Sequence, residues 1–347
     1  MDAIQSQSTT APAPARISPQ RRAAIEFVLD NLVWLILVIV LTVFSLTIPN
    51  YFQIGIFSNI VEQSTFVGVM AIGLSLVIIA GDMDLSVEST MALAAMVTGL
   101  LFAARGAGLG LVPSPEILVL PLSFAIALLV GALIGMTNAW LVVRLRMNAF
   151  IVTLAAYIWV RGLVVALSGG RSAQDLPGSL RFIAIDTFLY IPLSAWIAIV
   201  SFTIFAFVLN KTPFGRHLYM IGGNPVAAFR AGIRVGKLTA IAFVIAGATA
   251  GLAGWLLAIR TSGATANLGT GMLFQAFAAV VIGGVSLKGG VGRLSGVYAG
   301  VLLLSSIHTA INLMGMPAHF TQIILGGLVL AAVLLDSLKS AIRQQLA

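Results

Sequence analysis

Side chains able to do chemistry are sparse in this chain. The densest group is Ala80-Gly-Asp-Met-Asp-Leu-Ser-Val-Glu-Ser89, which sets the carboxylates of Asp82, Asp84 and Glu88 close together. Carboxylates at membrane depth are expensive and usually functional. Here they fall at the junction between two apolar runs, where Asp84 or Ser86 has a local role to play, capping the helix that follows and favouring its N-terminal dipole. Asp82 and Glu88 are left unassigned by the sequence. The second group is Asn148-Ala-Phe-Ile-Val-Thr-Leu154, leading into Arg161-Gly-Leu163. The thirteen residues from Asn148 to Arg161 span about 20 Å of helix. That carries Arg161 into the outer part of a bilayer, to snorkel outward or to pair with Glu62 near the outer end of the second span.

Most catalytic and ligand-binding devices are excluded. No phosphate loop of the form GxxxxGK[ST] exists, because Gly236-Lys237 is followed by Leu238 and position 231 is Ala231. The chain therefore does not bind ATP by that route. His217, His308 and His319 lack metal-ligand spacing, although His308 and His319 could face each other near the outer ends of two spans. Neither Ser168-Gly169 nor Ser295-Gly296 has the glycine two residues before the serine that an intramembrane serine protease would want. With no cysteine, disulfides, thiolate metal sites and cysteine nucleophiles are absent. An enzyme is not expected, nor a metal or cofactor held by this chain.

These groups sit in an oily framework. Of 347 residues, 59% are hydrophobic and 9% charged, with a mean hydropathy of +1.07. Soluble domains carry about 25% charged residues, so the chain belongs in a lipid bilayer. At about 20 apolar residues per span, ten candidates appear: 27–48, 57–80, 86–104, 117–143, 149–168, 188–209, 238–260, 271–286, 292–312 and 319–337. The eighth is the shortest. The first follows Arg16, Arg21 and Arg22 with no small-residue cleavage site, so it reads as an uncleaved span rather than a signal peptide. The expected fold is an all-α integral membrane protein with both termini cytoplasmic. It comprises a disordered cytoplasmic tail at 1–26, a transmembrane permease domain at 27–337 with a cytoplasmic loop at 210–237, and a cytoplasmic C-terminal tail at 338–347. In this topology the cytoplasmic segments hold 14 of the 19 lysines and arginines. External segments hold Arg105, Arg171, Arg181 and Arg260, and Arg161 lies within a span, as the positive-inside bias requires. The net charge of +8 thus sorts by membrane side and implies no nucleic-acid partner. Small-residue pairs at Gly131/Gly135, Gly247/Gly251 and Gly296/Gly300 predict close helix packing.

The longest polar interruption in the second half is Asn210 to Lys237, with Lys211, Arg216, Arg230, Arg234 and Lys237 and no acidic residue. Inside it, Asn224 suits an N-cap, Pro225 the first helical position and Gly232 a left-handed stop. Ala227, Ala228 and Ala231 offer a small, smooth surface on which another protein could seat.

At these stretches the sequence resembles the permease subunit of monosaccharide-type ABC importers, the ribose/xylose/galactoside class. The family pattern Gly-Gly-Ile-Asp-Leu-Ser-Val-Gly-Ser is matched by Gly81 to Ser89, with Asp82 and Glu88 as departures, Glu88 standing where the pattern has glycine. Pro-Phe-Ile-Val-Thr-Leu is matched by Ala149 to Leu154, followed by Arg161-Gly162. Gly-Asn-x-x-Ala-Ala-x-x-x-Gly-Ile is met by Gly223, Asn224, Ala227, Ala228, Gly232 and Ile233. The run Gly-Gly-x-Ser-Leu-x-Gly-Gly is met from Gly283 to Gly290. The resemblance covers about residues 30 to 337. It implies a second permease copy or paralogue, a periplasmic solute-binding protein that delivers a sugar or similar neutral solute, and a cytoplasmic ABC ATPase that binds ATP and Mg. It makes Gly223, Asn224, Pro225, Ala227, Ala228, Gly232 and Ile233 the coupling element. Asp84, Ser86, Phe150, Thr153 and Arg161 become candidates for the translocation path, in a bacterial inner membrane. The competing reading is an ion-gradient-driven secondary transporter. It predicts an acidic residue near mid-bilayer, whereas these carboxylates are expected at span ends.

Overall fold

A computed structural model describes residues 19–317 and, beyond them, residues 320, 323, 324, 326, 327, 330, 331 and 334; side chains are described from residue 31. Expectations for residues 1–18, for His319, for most of the tenth candidate span and for 338–347 lie outside the described residues.

The described chain is predominantly helical. Six stretches are long and apolar enough to cross a membrane: Ile54–Ile79 (α2), Glu116–Arg144, which contains α4 (Val119–Ala139), Ala149–Ser168 (α5), Leu193–Lys211 (α7), Val235–Arg260 (α10) and Leu294–Leu313 (α12). Three further apolar stretches are shorter: Asn31–Thr47, which belongs to α1 (Pro19–Thr47), Val87–Phe102 (α3) and Met272–Ile282 (α11). The remaining helices, α6 (Gly178–Ile185), α8 (Pro213–Gly223) and α9 (Pro225–Arg230), are short connectors.

α2 and α10 form the centre, and α10 packs against α4, α3 and α2. The α4–α10 contact is backbone on backbone: a Cβ at Gly131 would strike the Gly247 carbonyl, one at Gly135 the Phe243 carbonyl, and one at Gly251 the Ala127 carbonyl. The pair Gly296/Gly300 does the same on α12 against Gly283 and Ala279. Small residues thus bring these helices closer than side chains would allow, which is how helices associate in lipid without a hydrophobic gradient between them.

Two features fix direction. Three two-residue strands, Arg105–Gly106 (β1), Ala173–Gln174 (β2) and Gly263–Ala264 (β5), form one antiparallel sheet in the order β1-β2-β5. They follow α3, α5 and α10, so these three helices end on the same side. A separate two-strand ladder joins Thr187–Phe188 (β3) to Ile191–Pro192 (β4). α8 and α9 precede α10 and therefore lie at the opposite end, where α2 also terminates. The loops carrying Arg105, Arg171 and Arg260 and the basic stretch 210–237 thus occupy opposite ends of the bundle.

Candidate functional site

The site is built where helices are interrupted. Between α2 and α3 the chain leaves helical geometry from Gly81 to Ser86 and re-enters at Val87. Ser86 is the N-cap of α3, but no side chain makes the capping bond. Asp84 is not the cap expected for the third span either: its Oδ1 accepts the Ser86 amide at 2.9 Å and the Ser86 hydroxyl at 2.6 Å. A short polar side chain bonding the amide two residues on stabilises a turn in place of the helix start. Ser86 Oγ in turn accepts from Asn138 Nδ2 on α4 at 2.8 Å. Thr153 on α5 is wholly buried and donates to the Ala149 carbonyl at 2.8 Å, with Met83 O at 3.3 Å. The structure therefore brings Asp84, Ser86 and Thr153 together. It leaves Phe150 apart, half-exposed on the outer side of α5.

Arg161 does not pair with Glu62. Its Nη2 lies 2.8 Å from Glu88 Oε1, and Glu62 is held instead by Arg260. The reason is direction: two turns of α5 beyond Thr153 bring Arg161 level with the first turn of α3. Arg161 is the thirteenth residue of the twenty in α5, about 18 Å from its start. The carboxylate thought to sit at a span end is thus deep in the bundle, a correction to the sequence expectation. Glu88 is almost completely buried and its oxygens are fully engaged. Oε1 also accepts from the Tyr157 hydroxyl at 3.3 Å, and Oε2 accepts the Gly271 and Leu273 amides at 3.0 and 2.9 Å, at the N-terminus of α11. Arg161 Nη1 donates to the Ala266 and Leu268 carbonyls at 3.0 and 3.2 Å. Glu88 and Arg161 thus hold the segment leading into α11 by its amides and its carbonyls respectively. Burial of such a pair is tolerable only because the remaining hydrogen-bonding capacity is met.

At the other end, the basic stretch folds as α8 and α9. Thr212 caps α8, and Asn224 Oδ1 accepts the Ala227 amide at 2.9 Å to cap α9, with Pro225 at the first position. Gly232 has φ +82°, the left-handed conformation that ends the helix. Ala228 does not face outward, as the smooth-surface expectation had it. It is buried with Ile221 and Ile233 in a small apolar cluster. Six residues give only one inward face, and Ile221 and Ile233 claim it. The outward face carries Ala227, Ala231, Val226, Arg230 and Phe229, the last 72% exposed.

The two regions meet in a junction the sequence reading missed. Gly290 N–H donates to the Ile79 carbonyl at 2.9 Å. A Cβ at Gly222, the penultimate residue of α8, would strike that same carbonyl. A Cβ at Gly289 would lie 2.9 Å from Gly81 Cα, and one at Gly290 2.7 Å from Gly223 N. Tyr219 on α8 donates to the Gly292 carbonyl at 2.8 Å. Burial pushes its phenol above the usual value, and the nearby Arg293 opposes this. The end of α2, the end of α8 and the turn at 283–292 are therefore in backbone contact. Clustered glycines in three separate segments were the only signal available for it.

The family model described as "Branched-chain amino acid transport system / permease component" matches residues 56–333. The chain is 33% identical over 336 residues to the L-arabinose ABC transporter permease protein AraH of Azospirillum brasilense, covering 96% of each. It is 34% identical to the ribose import permease protein RbsC of Escherichia coli (strain K12), covering 87% of this chain and 92% of that one. To the autoinducer 2 import system permease protein LsrC of Yersinia pestis (strain Pestoides F) it is 32% identical, covering 92% of this chain and 90% of that one. No solved structure matches the chain. With the match extending over most of its length, the chain belongs to the branched-chain amino acid transport system / permease component family.

Proposed function

We propose that this chain is the membrane-spanning permease subunit of an ATP-driven importer and forms the translocation path for a sugar or sugar-like neutral solute. The names of the similar permeases, for arabinose, ribose and autoinducer 2, support that solute class. The observation that carries the mechanism is the backbone junction of Ile79, Gly81, Gly222, Gly289 and Gly290. It joins the exposed helix α9 and its support α8 to the break between α2 and α3 with no flexible side chain between them.

In this reading, ten spans place both termini in the cytoplasm and the chain lies in a bacterial inner membrane. A second permease copy or paralogue completes the path, and a periplasmic solute-binding protein loads it from the side of the small sheet. A cytoplasmic ATPase, which holds ATP and Mg, receives Phe229 and Val226. Asn224, Pro225 and Gly232 shape α9, while Ala228 and Ile233 fix it to α8. ATP-driven displacement of α9 then moves α8, the end of α2 and the Gly81–Ser86 break as one. Asp84, Ser86 and Thr153 lie at that break, and Arg161 farther along α5. The gradient-driven alternative requires a carboxylate free to bind and release an ion. Glu88 is buried as such a carrier's carboxylate would be, but both its oxygens are taken up by Arg161, Tyr157 and two amides.

The test reconstitutes the chain in nanodiscs with its ATPase and solute-binding protein, and measures complex formation and ATP turnover for wild type and Phe229→Asp. The reading expects loss of both in the variant with the fold intact. Solute uptake by the wild-type chain with no ATPase present, equal in the variant, would overturn it.

A further inference from the structure

After β5 the chain leaves the sheet and runs back along α3. A Cβ at Gly99, near the end of α3, would lie 3.3 Å from Ala264 Cβ. A Cβ at Gly269 would strike the Met91 methyl, and the Gly271 and Leu273 amides bind Glu88 in the first turn of α3. From Gly99 back to Glu88 is about 16 Å of helix. The stretch therefore passes most of the length of an apolar helix, and it becomes helical itself only at Met272.

That passage is made by irregular backbone. The amides of Leu268, Thr270 and Met272 donate to the carbonyls of Thr265, Asn267 and Gly269 in successive turns. Arg161 takes the Ala266 and Leu268 carbonyls. Among the described residues nothing accepts from the backbone amides of Asn267 and Gly269, and the side chain of Asn267 has no partner either. Thr265, Asn267 and Thr270 are exposed in the isolated chain, and Phe274 in the first turn of α11 is 63% exposed. Irregular backbone among spanning helices is tolerated only where protein buries it or a water-filled cavity meets it, because lipid leaves its amides unsatisfied. Leu129 and Leu133, exposed in the middle of α4, are by contrast what lipid requires.

We propose that residues 265–274 form a water-facing wall of the translocation path, on which Asn267, Thr270 and Phe274 contact the solute. This rests on the reading of the chain as an importer permease. The group suits a neutral solute rich in hydroxyls. Side-chain amides and hydroxyls both donate and accept, as sugar hydroxyls do, and Phe274 offers an apolar face to the C–H side of a sugar ring. The wall carries no net charge, since Arg161 and Glu88 neutralise one another behind it. Those two are positioning residues. Arg161 holds the segment by two carbonyls and Glu88 by two amides, so its shape is fixed from behind while its front stays free. A second copy that sealed this face dry would have to bring acceptors to two backbone amides; water supplies them without a built partner.

The chain has no cysteine, so Asn267→Cys, Thr270→Cys and Leu129→Cys each carry a single thiol. The full chain is reconstituted in nanodiscs with its ATPase and solute-binding protein and treated with a charged maleimide. A thiol reacts as its thiolate, which apolar surroundings suppress. The expected result is modification at positions 267 and 270 and none at 129, which only a lipid-soluble maleimide reaches. Failure of the charged reagent at both 267 and 270 overturns the proposal, whether lipid or a dry contact covers them, and leaves the importer reading standing. Solute contact is read as uptake of L-arabinose and D-ribose into proteoliposomes. Asn267→Ala is expected to lower uptake by up to about tenfold, the worth of one hydrogen bond, and Phe274→Ala to lower it as well, with the complex still assembled. Unchanged uptake in both variants overturns the contact. Wild-type uptake that needs no ATPase, or uptake of neither sugar while ATP turns over, counts instead against the importer reading or its solute class, and the labelling still decides the wall.

Discussion

Glu88 Oε1 and Arg161 Nη2 lie 2.8 Å apart, joining the first turn of α3 to the middle of α5 across 73 residues of sequence. Both partners also hold the chain between Ala266 and Leu273, so the pair ties three separate parts of the bundle together. Removing one member of a buried pair leaves the other uncompensated, at a cost of about 3 kcal/mol or more. Arg161→Met is expected to destabilise by that amount. Glu88→Leu combined with Arg161→Met should cost clearly less than the two single changes added together. Thermal unfolding of the four proteins in one detergent checks this, and strict additivity would dissolve the coupling.

Reversing the pair is not expected to rescue it. Glu88→Arg with Arg161→Glu restores opposite charges, but it sets a cation against the Gly271 and Leu273 amides at the start of α11. A helix N-terminus favours an anion by about 0.3–2 kcal/mol, and each amide left without an acceptor costs about 1–3 kcal/mol more. The swapped protein should unfold no higher than the single variants. Recovery to wild-type stability would show that charge alone matters there.

The outward face of α9 gives a different signature. Phe229 is 72% exposed in the isolated chain, so Phe229→Ala should leave the unfolding temperature unchanged. Aromatic anchors at interfaces commonly contribute about 2 kcal/mol or more, which predicts a loss of roughly 30-fold in affinity for the ATPase. Ala228→Leu should do the reverse. It overfills the cluster with Ile221 and Ile233, costs about 1–3 kcal/mol of stability, and disturbs docking only through that change. Calorimetric unfolding beside a binding titration separates the two.

At the glycine junction the cost is steric. Gly222→Ala places a methyl group against the Ile79 carbonyl, whereas Gly162→Ala on α5 meets nothing within 4 Å. The first should lower the unfolding temperature and uncouple ATP turnover from solute delivery. The second should leave both unchanged. Parallel turnover and stability measurements on the pair are the check.

Much of this was legible in the sequence because it is local. Asn224, Pro225 and Gly232 announce α9 by short-range hydrogen bonding and backbone geometry, and the Gly131/Gly135 and Gly247/Gly251 spacings announce the α4–α10 contact. Glu88 was not legible, because its partners lie 69 to 185 residues away and only the tertiary fold supplies them. The available hint was stoichiometric: Arg161 is a cation inside an apolar helix, and Glu88 is an acid just inside another. Ala228 was misjudged for a related reason. Whether a small residue on a six-residue helix faces in or out is decided by the neighbours that cover it, here Ile221 and Ile233.

The small sheet constrains how the bundle can deform. Strands β1, β2 and β5 knot the far ends of α3, α5 and α10 together by backbone hydrogen bonds, so sliding of these helices along their axes would break that ladder. What remains is rocking about that knot, with the sheet as fulcrum and the helices as levers. α10 has 26 residues, a lever of about 39 Å. A tilt of about 10° about its knotted end would carry the opposite end through about 7 Å over that length. Amplitude is therefore greatest beside α8 and α9 and least at the sheet.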